Sequence, residues 1–321
     1  ENVNIVRNVI RERCSSSGIN PADIFGNPAY FDLTDLSGST LLVNHMGNEQ
    51  DRLSEDKMQV PLKDLDLLRD LDSDKSIFLI HKHNNPCGVA IRDSVLEAFE
   101  DALSCDNISA FGGILTSNKT IDKISANQIN KLFFEIIIAP DFEEEALTIL
   151  KSKKNRIIIK LNQIPSKSIQ SRSCLNGVLE QDVDKKIENF QDFKVVTEQS
   201  PNKNNSDDLV LASVIAKHTK SNCIVIVKNQ QLIGSGMGQV SRIDALDQAI
   251  EKSKKFGFEL RESSLASDAF FPFSDCVEIS HQNGINSIVQ PGGSVRDQDS
   301  IDFCNENKMS MVFSGIRHFR H

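Results

Sequence analysis

Tryptophan is absent from this chain and tyrosine occurs once, so aromatic packing and stacking fall to 18 phenylalanines, which carry no hydrogen-bonding group of their own. Basic charge is also short: 36 Lys and Arg stand against 45 Asp and Glu, a formal net charge of -9 with a pI near 5.3. That balance excludes non-specific nucleic-acid binding, which needs a basic surface to displace counterions, but it leaves room for a local pocket for one small phosphate. No apolar run approaches the roughly 18 residues of a membrane helix, and the first thirty residues carry no secretory h-region, so no membrane partner is expected. The seven cysteines, Cys14, Cys87, Cys105, Cys174, Cys223, Cys276 and Cys304, are odd in number, scattered and free of CxxC pairs. They fit neither a disulfide scaffold nor a zinc ribbon, and suit a reduced cytoplasm.

What is present is a globular composition, 39% hydrophobic and 25% charged, in 321 residues: one large domain or two ordinary ones. The chain opens on Glu1 rather than Met, which fits a piece of a longer product. In residues 1–65 a helix-like Ile5-Val6-x-x-Val9-Ile10 is interrupted at Ser15-Ser16-Ser17-Gly18 and followed by Asn20-Pro21 and Asn27-Pro28; this is a divergent N-terminal segment. From Leu62 the pattern becomes regular. A helix through Leu65, Leu67, Leu68 and Leu71 leads to strands at 77–82, 110–115, 135–140 and 156–160, with helices at 93–104, 125–133 and 142–153 between them. Strands apolar throughout and alternating with helices imply a sheet covered on both faces. Residues 163–207, rich in Ser, Asn, Lys and Asp, read as a crossing with one strand at 175–179. Beyond it come a helix over 208–219, a hairpin of 223–227 and 231–234 about Asn229-Gln230, helices at 242–256, 275–283 and 296–307, and strands at 265–269, 285–290 and 310–314. No repeat of 20–50 residues stands out. The chain is divided accordingly into 1–65, a first α/β subdomain with linker over 66–190, and a second over 191–321.

The organising stretch is Lys82-His83-Asn84-Asn85-Pro86-Cys87-Gly88, directly after the apolar Ile77-Phe78-Leu79-Ile80. It places two proton-handling side chains at a strand end, where α/β proteins bind ligands, although a solvated strand end reads the same way. Pro86-Cys87 resembles half of a zinc-deaminase signature, but the PCxxC spacing and the upstream HxE are missing. Gly234-Ser235-Gly236-Met237-Gly238, with Ser241-Arg242 after it, fits either a backbone approach to a phosphate at a helix start or a plain turn. Ser267 to Asp275 crowds Phe270, Phe271 and Phe273 between two carboxylates; core packing accounts for the aromatics equally well, but less easily for Asp268 and Asp275. Pro291-Gly292-Gly293-Ser294 follows another strand, and Arg317-His318-Phe319-Arg320-His321 is a cationic cluster that also suits a solvated end.

Taken in order, Lys82-His83-x-Asn85-Pro86-Cys87-Gly88, Ser109-Ala110-Phe111-Gly112-Gly113, Lys220-Ser221-Asn222, Gly236-x-Gly238-Gln239-x-Ser241-Arg242, Ala266 to Phe273, Gln290 to Asp297 and Arg317 to His321 closely resemble the AICAR transformylase domain of the bifunctional purine biosynthesis family, from about residue 65 to the end. The resemblance implies an α/β fold of two cytidine-deaminase-like three-layer α/β/α subdomains without zinc, in a homodimer with shared active sites. It implies formyl transfer from 10-formyltetrahydrofolate to the 5-amino group of 5-aminoimidazole-4-carboxamide ribonucleotide (AICAR), in the cytoplasm, on the route to IMP. By that resemblance His83 is the proton acceptor and Lys82 the transition-state stabiliser; Asn222 and Arg242 hold substrate, Asn222 serving nucleotide or folate and Arg242 the phosphate. Gly112 and Glu135 line the site, Ile243 contacts folate, Phe270 stacks, Asp275 accepts from an amide, and Ser294 and Arg317 complete the contacts. A structural potassium ion near Asp268 occurs in some members.

The chain departs from the family at the front. The Arg-Tyr-Gly-Glu-Asn-Pro-His-Gln and Leu-Ser-Tyr-Asn-Asn segments are missing; the nearest echo, Gly26-Asn27-Pro28-Ala29-Tyr30, has no arginine. The cyclohydrolase domain is likewise not in this sequence, so ring closure to IMP is not expected of it. The departure sets an alternative beside the enzyme: a non-catalytic AICAR or folate binder, or a dimer partner that has lost turnover.

Overall fold

The computed structural model describes residues 30–32, 65–71, 73–162, 164, 169–174 and 177–320. The helix expected at Ile5 lies outside them. Twelve strands form one mixed sheet, and a separate antiparallel hairpin, β7 (Ile169–Cys174) with β8 (Gly177–Asp182), includes part of the strand expected at 175–179.

The first half of the sheet consists of β2 (Ser76–Lys82), β3 (Asn85–Arg92), β4 (Gly113–Ser117), β5 (Phe134–Ala139) and β6 (Ile157–Lys160), with β1 (Tyr30–Asp32) on its outer edge beside β6. Helices α1 (Val95–Cys105), α2 (Lys123–Ile129) and α3 (Glu144–Leu150) connect these strands. In the second half α4 (Lys203–Lys217) precedes β10 (Ile224–Lys228) and β11 (Gln231–Gly236), followed by α5 (Arg242–Lys255), β12 (Ser264–Ser267), α6 (Asp275–Gln282), β13 (Ser287–Gln290), α7 (Asp297–Glu306) and β14 (Ser310–Phe313); the short β9 (Lys194–Val195) closes the far edge. The order β1-β6-β5-β4-β2-β3-β11-β10-β12-β13-β14-β9 repeats one plan on either side of its centre: an antiparallel hairpin whose first strand is flanked by a strand antiparallel to it and then by two more strands parallel to that one. The halves join antiparallel at the two second hairpin strands, β3 and β11, where Ala90 pairs with Gln231.

Alternation along each strand explains the layers. Ile77 and Leu79 of β2 and Val225 and Val227 of β10 face one side, where α4, buried along most of its length after the first turn, packs with Leu209, Leu211, Val214 and Ile215. Phe78 and Ile80 face the other side under α1, α2 and α3, while Ile224 and Ile226 face it under α5, α6 and α7. Helix starts follow side-chain caps: Ser94 and Glu97 make a reciprocal capping box on α1, and Asn202 caps α4. The Asn202 cap is why α4 begins at Lys203 rather than at the expected Asp208.

The largest correction lies after Lys82. The spacing reads as strand, turn and helix, but β3 intervenes and makes 76–92 a hairpin with His83 and Asn84 at its tip. Pro86 sits at the start of β3 beside a register shift between Ile80 and His81, which accommodates a residue that cannot donate to the ladder. The strand expected at 110–115 likewise starts only at Gly113, after a turn.

Gly88 in β3 lies directly under α1, and a Cβ there would overlap the carbonyl oxygen of Ala102; Gly236 in β11 meets Ala245 of α5 in the same way. Gly88→Ala should therefore destabilise the protein by about 1–3 kcal/mol through forced displacement of α1, read from the urea-unfolding midpoint.

A buried ion pair fastens helical residues 65–70 to the end of α4. Lys217 Nζ lies 2.8 Å and His218 Nε2 2.9 Å from Asp70 Oδ2, and the same ammonium donates to the Lys186 carbonyl at 2.9 Å. Burial opposes ionisation of Asp70, yet hydrogen bonds from His218 and Lys217 hold its carboxyl down at about 2; burial in turn pushes His218 down to about 4. Asp70→Asn leaves the Lys217 ammonium without its carboxylate and should cost roughly 3–5 kcal/mol at pH 7. Since the folded pKa is depressed, the gap to wild type should close as pH falls from the ordinary carboxylate range through about 2, measured by unfolding at stepped pH.

Candidate active site

The antiparallel junction brings different parts of the two halves to one end of the sheet: the β2–β3 tip and the starts of β4 and β5 from the first, and the start of β10 with the ends of β11 to β14 from the second. At the tip His83 and Asn84 take φ of 49° and 65°, the left-handed conformation of a two-residue hairpin turn. The turn leaves His83 exposed and Lys82 half-buried. Lys82 Nζ donates to the Phe111 carbonyl, and a Cβ on Gly112 would stand 2.9 Å from that nitrogen, so glycine makes room for the ammonium. Gly112 has φ 70° and donates its N–H to the Phe133 carbonyl at 2.8 Å. Phe111 and Phe133 pair with ring centroids 4.8 Å apart and both rings exposed, and half-buried Glu135 follows in β5.

Asn85 ties this tip to the second half. Its Oδ1 accepts from Lys220 N–H at 3.0 Å, while its Nδ2 donates to the His83 carbonyl at 3.2 Å. Asn222, at the start of β10, exchanges backbone hydrogen bonds of 3.2 Å with Gln239 and donates from Nδ2 to the Val240 carbonyl at 3.2 Å. Gly238, with φ 67°, folds the 237–241 segment over Lys220. Of the three glycines read as a phosphate approach, Gly234 and Gly236 are there for another reason: side chains at those positions would overlap α5.

Arg242 opens α5 behind its Ser241 cap, and Ile243 beside it is partly buried against the α5 core. Arg242 Nη2 stands 3.9 Å from Asp268 Oδ1. Asp268 is 2% exposed, and among the described residues neither of its carboxylate oxygens, nor Arg242 Nε, has a hydrogen-bond partner. Such a carboxylate is costly in a protein interior and suits a cation. Past Asp268 the chain turns Phe271 into the core and leaves Phe270 half-buried, with the Arg317 guanidinium 4.8 Å from its ring centroid. Ser294 Oγ accepts from Arg296 N–H at 3.1 Å, and Gly293 donates to Asp297 at 2.7 Å, shaping the loop that faces Arg317. Asp275, half-buried at the first position of α6, accepts from Cys276 N–H at 2.7 Å.

The predicted residues therefore form two groups. Lys82, His83, Gly112 and Glu135 belong to the first half; Asn222, Arg242, Ile243, Phe270, Asp275, Ser294 and Arg317 belong to the second. Six strand spacings, about 29 Å across the sheet, separate β2 from β14, and the strap after β14 runs back past Phe270 to Ser221. Sequence reasoning left Asn85, Lys220 and Phe111 without roles, although all three stand inside the quoted motifs. Tyr30, the echo of the missing front segment, starts β1 and pairs with Ile158 on the outer edge, away from both groups. Cys87 is buried in β3 with its thiol donating to the Ile80 carbonyl, and among the described residues no three His, Cys, Asp or Glu are placed to hold a metal ion. No described helix is long and apolar enough to cross a membrane.

An exposed imidazole beside an anchored ammonium can move a proton and stabilise an oxyanion. The arginines of the second group can hold an anion, with Phe270 offering a ring face. A family model described as AICARFT/IMPCHase bienzyme matches residues 62–252. Similar curated proteins are the bifunctional purine biosynthesis protein PurH of Bacteroides thetaiotaomicron, 54% identical over 76% of this chain and 48% of that protein, and its counterpart in Caldicellulosiruptor saccharolyticus, 45% identical over 81% and 52%. PurH of Aquifex aeolicus is 45% identical over 77% of this chain and 48% of its own length, so the chain spans about half the length of the curated relatives it matches. The match covers more than half of the chain and includes the hairpin tip, Gly112, Glu135, Asn222 and Arg242: the chain belongs to the AICARFT/IMPCHase bienzyme family.

Proposed function

We propose that this chain is an AICAR formyltransferase, and the observation that carries the reading is the β2–β3 tip, which presents His83 beside the anchored Lys82. The AICAR 5-amino nitrogen attacks the formyl carbon of 10-formyltetrahydrofolate and a C–N bond forms. His83 takes the amine proton. Lys82 places its charge beside the oxyanion of the tetrahedral intermediate; collapse then breaks the bond to folate N10, which receives a proton. Because one proton transfer accompanies the bond exchange, orientation of two substrates is the larger demand on the site. Arg242 and Arg317 supply the cationic side for the nucleotide, Phe270 a stacking face, Asn222, Asp275 and Ser294 hydrogen bonds, and Ile243 a folate contact, while Gly112 and Glu135 line the site. In the His83→Ala protein AICAR-dependent release of tetrahydrofolate, followed by absorbance, should fall by about 10²–10⁴ with the circular dichroism spectrum unchanged. Undiminished release would remove His83 as the base.

The common strand order on either side of β3 and β11 supports reading 66–190 and 191–321 as two cytidine-deaminase-like subdomains without zinc. A potassium ion is part of the same reading: the Asp268 carboxylate would hold it, and its charge would set the loop that carries Phe270. The protein would work in the cytoplasm as a homodimer. The four strand spacings between β2 and β12, the strand that precedes Phe270, support sites shared between copies, with Lys82 and His83 from one protomer facing Phe270 and Arg317 of the other.

Mixing of defective chains tests that arrangement. His83→Ala and Arg317→Ala chains, unfolded together and refolded, should regain up to about a quarter of wild-type activity, because half of the dimers are mixed and each holds one intact site. Sites built within single chains would give no recovery above the separate variants.

A further inference from the structure

The C-terminal strap is held down by charge rather than by apolar packing. Within 315–320 the only buried side chain is His318, at 6% exposure; Arg317 and Phe319 are exposed. His318 Nδ1 lies 2.6 Å from Asp184 Oδ2, and its Nε2 lies 3.1 Å from both oxygens of Glu188, itself 2% exposed. Carboxylates at both ring nitrogens require a proton on each, so the ring is an imidazolium. Burial pushes against that charge, but the two carboxylates prevail and hold His318 up at about 9. Two residues on, Arg320 exchanges backbone contacts with Ser221: its N–H donates to Ser221 Oγ at 2.8 Å and its carbonyl accepts Ser221 N–H at 2.9 Å. The Arg320 guanidinium also donates to the His218 carbonyl at 2.6 Å. One residue before His318, Arg317 lies over Phe270. The carboxylates are braced in turn, since the Lys186 carbonyl between them accepts from Lys217.

We propose that His318 is a positioning residue: clamped between Asp184 and Glu188, it fixes the C-terminal strap, so that Arg317 stands over Phe270 and Arg320 holds the Ser221–Asn222 segment against the nucleotide side of the site. Neither Asp184 nor Glu188 falls in a motif of the active-site set, and both lie in the crossing between the halves. The inference rests on the formyl-transfer reading only for the identity of the ligand that Arg317 receives. A buried ion pair whose loss frees one segment, rather than the whole core, serves to select a conformation.

The experiment compares the 321-residue chain with His318→Gln, whose single amide cannot satisfy both carboxylates. The double variant His318→Gln/Glu188→Gln, in which two amides of similar volume replace the charged pair, is the one to read if the single variant does not fold. Two readouts are taken: hydrogen exchange at the Ser221 and Arg320 amides, and KM for each substrate with kcat. Exchange at both amides and KM for AICAR should each rise about tenfold, with kcat and KM for 10-formyltetrahydrofolate within about twofold of wild type. In an Arg317→Ala background the His318 change should add less to KM for AICAR than it does alone, because part of the effect passes through Arg317. Unchanged exchange in a folded variant, raised exchange with unchanged KM for AICAR, or full additivity with Arg317→Ala would each overturn the proposal. A wild-type chain without AICAR-dependent turnover would overturn the formyl-transfer reading instead, and the exchange rates would then decide the clamp alone.

Discussion

The antiparallel pairing of β3 with β11 is the constraint on which the rest depends. Each half carries a hairpin followed by strands parallel to one another, and joining the halves antiparallel points their equivalent ends in opposite directions. One end of the sheet therefore receives the hairpin tip of the first half and the carboxyl ends of β12, β13 and β14 from the second. Proton-handling and anion-holding residues therefore line the same end of the sheet although they sit at non-equivalent places in the shared plan. The other hairpin tip, Asn229 and Gln230, has the same left-handed backbone, with φ of 52° and 58°. Its amides, however, are taken by the buried Asp208 carboxylate at 2.8 and 2.6 Å, whereas His83 is left open. The same turn thus serves as anchor in one half and as presentation device in the other.

Buried charge divides into two kinds. Asp70 with Lys217 and His218, Lys252 with Asp106 at 2.7 Å, and His318 with Asp184 and Glu188 are closed pairs in which each carboxylate meets a cation or ring nitrogen at short distance. They join segments distant in the chain: helical residues 65–70 to α4, α5 to the turn after α1, and the C-terminal strap to the crossing. Arg242 and Asp268 are the other kind, facing each other at 3.9 Å with hydrogen-bonding capacity unused among the described residues. Closed pairs fix positions, while an open pair leaves polar groups for something to bind.

Much of this was legible in the chain. Ile77 to Ile80, Ile136 to Ile138, Ile157 to Ile159 and Cys223 to Val227 are apolar on both sides, which reads directly as central strands between helical layers. The ordered motifs contain the candidate site residues apart from Glu135, Ile243 and Asp275, which the resemblance alone supplied. β3 was not legible, because Asn85-Pro86-Cys87-Gly88 has turn composition and becomes a strand only when a register shift admits Pro86 and a close helix requires Gly88. The repeated plan left no short sequence period, because it recurs in topology over a half-chain; only the resemblance implied two like subdomains. Gly234 and Gly236 resembled a phosphate loop, since a glycine against a helix and a glycine against a ligand look the same in sequence.

The sequence by itself determined the fold class, the family and the residues able to carry charge and protons, because burial pattern and residue chemistry are local properties of the chain. Only the tertiary structure decided which of those residues stand together. Strand order set the β2–β3 tip and the carboxyl ends of β12 to β14 along one edge of the sheet, and the strap after β14 carried Arg317 back over Phe270, an arrangement that no spacing in the chain encodes. Packing likewise turned His318 from one more cation in a basic tail into a ring held between Asp184 and Glu188, since those carboxylates lie 134 and 130 residues earlier and reach it only in the folded protein.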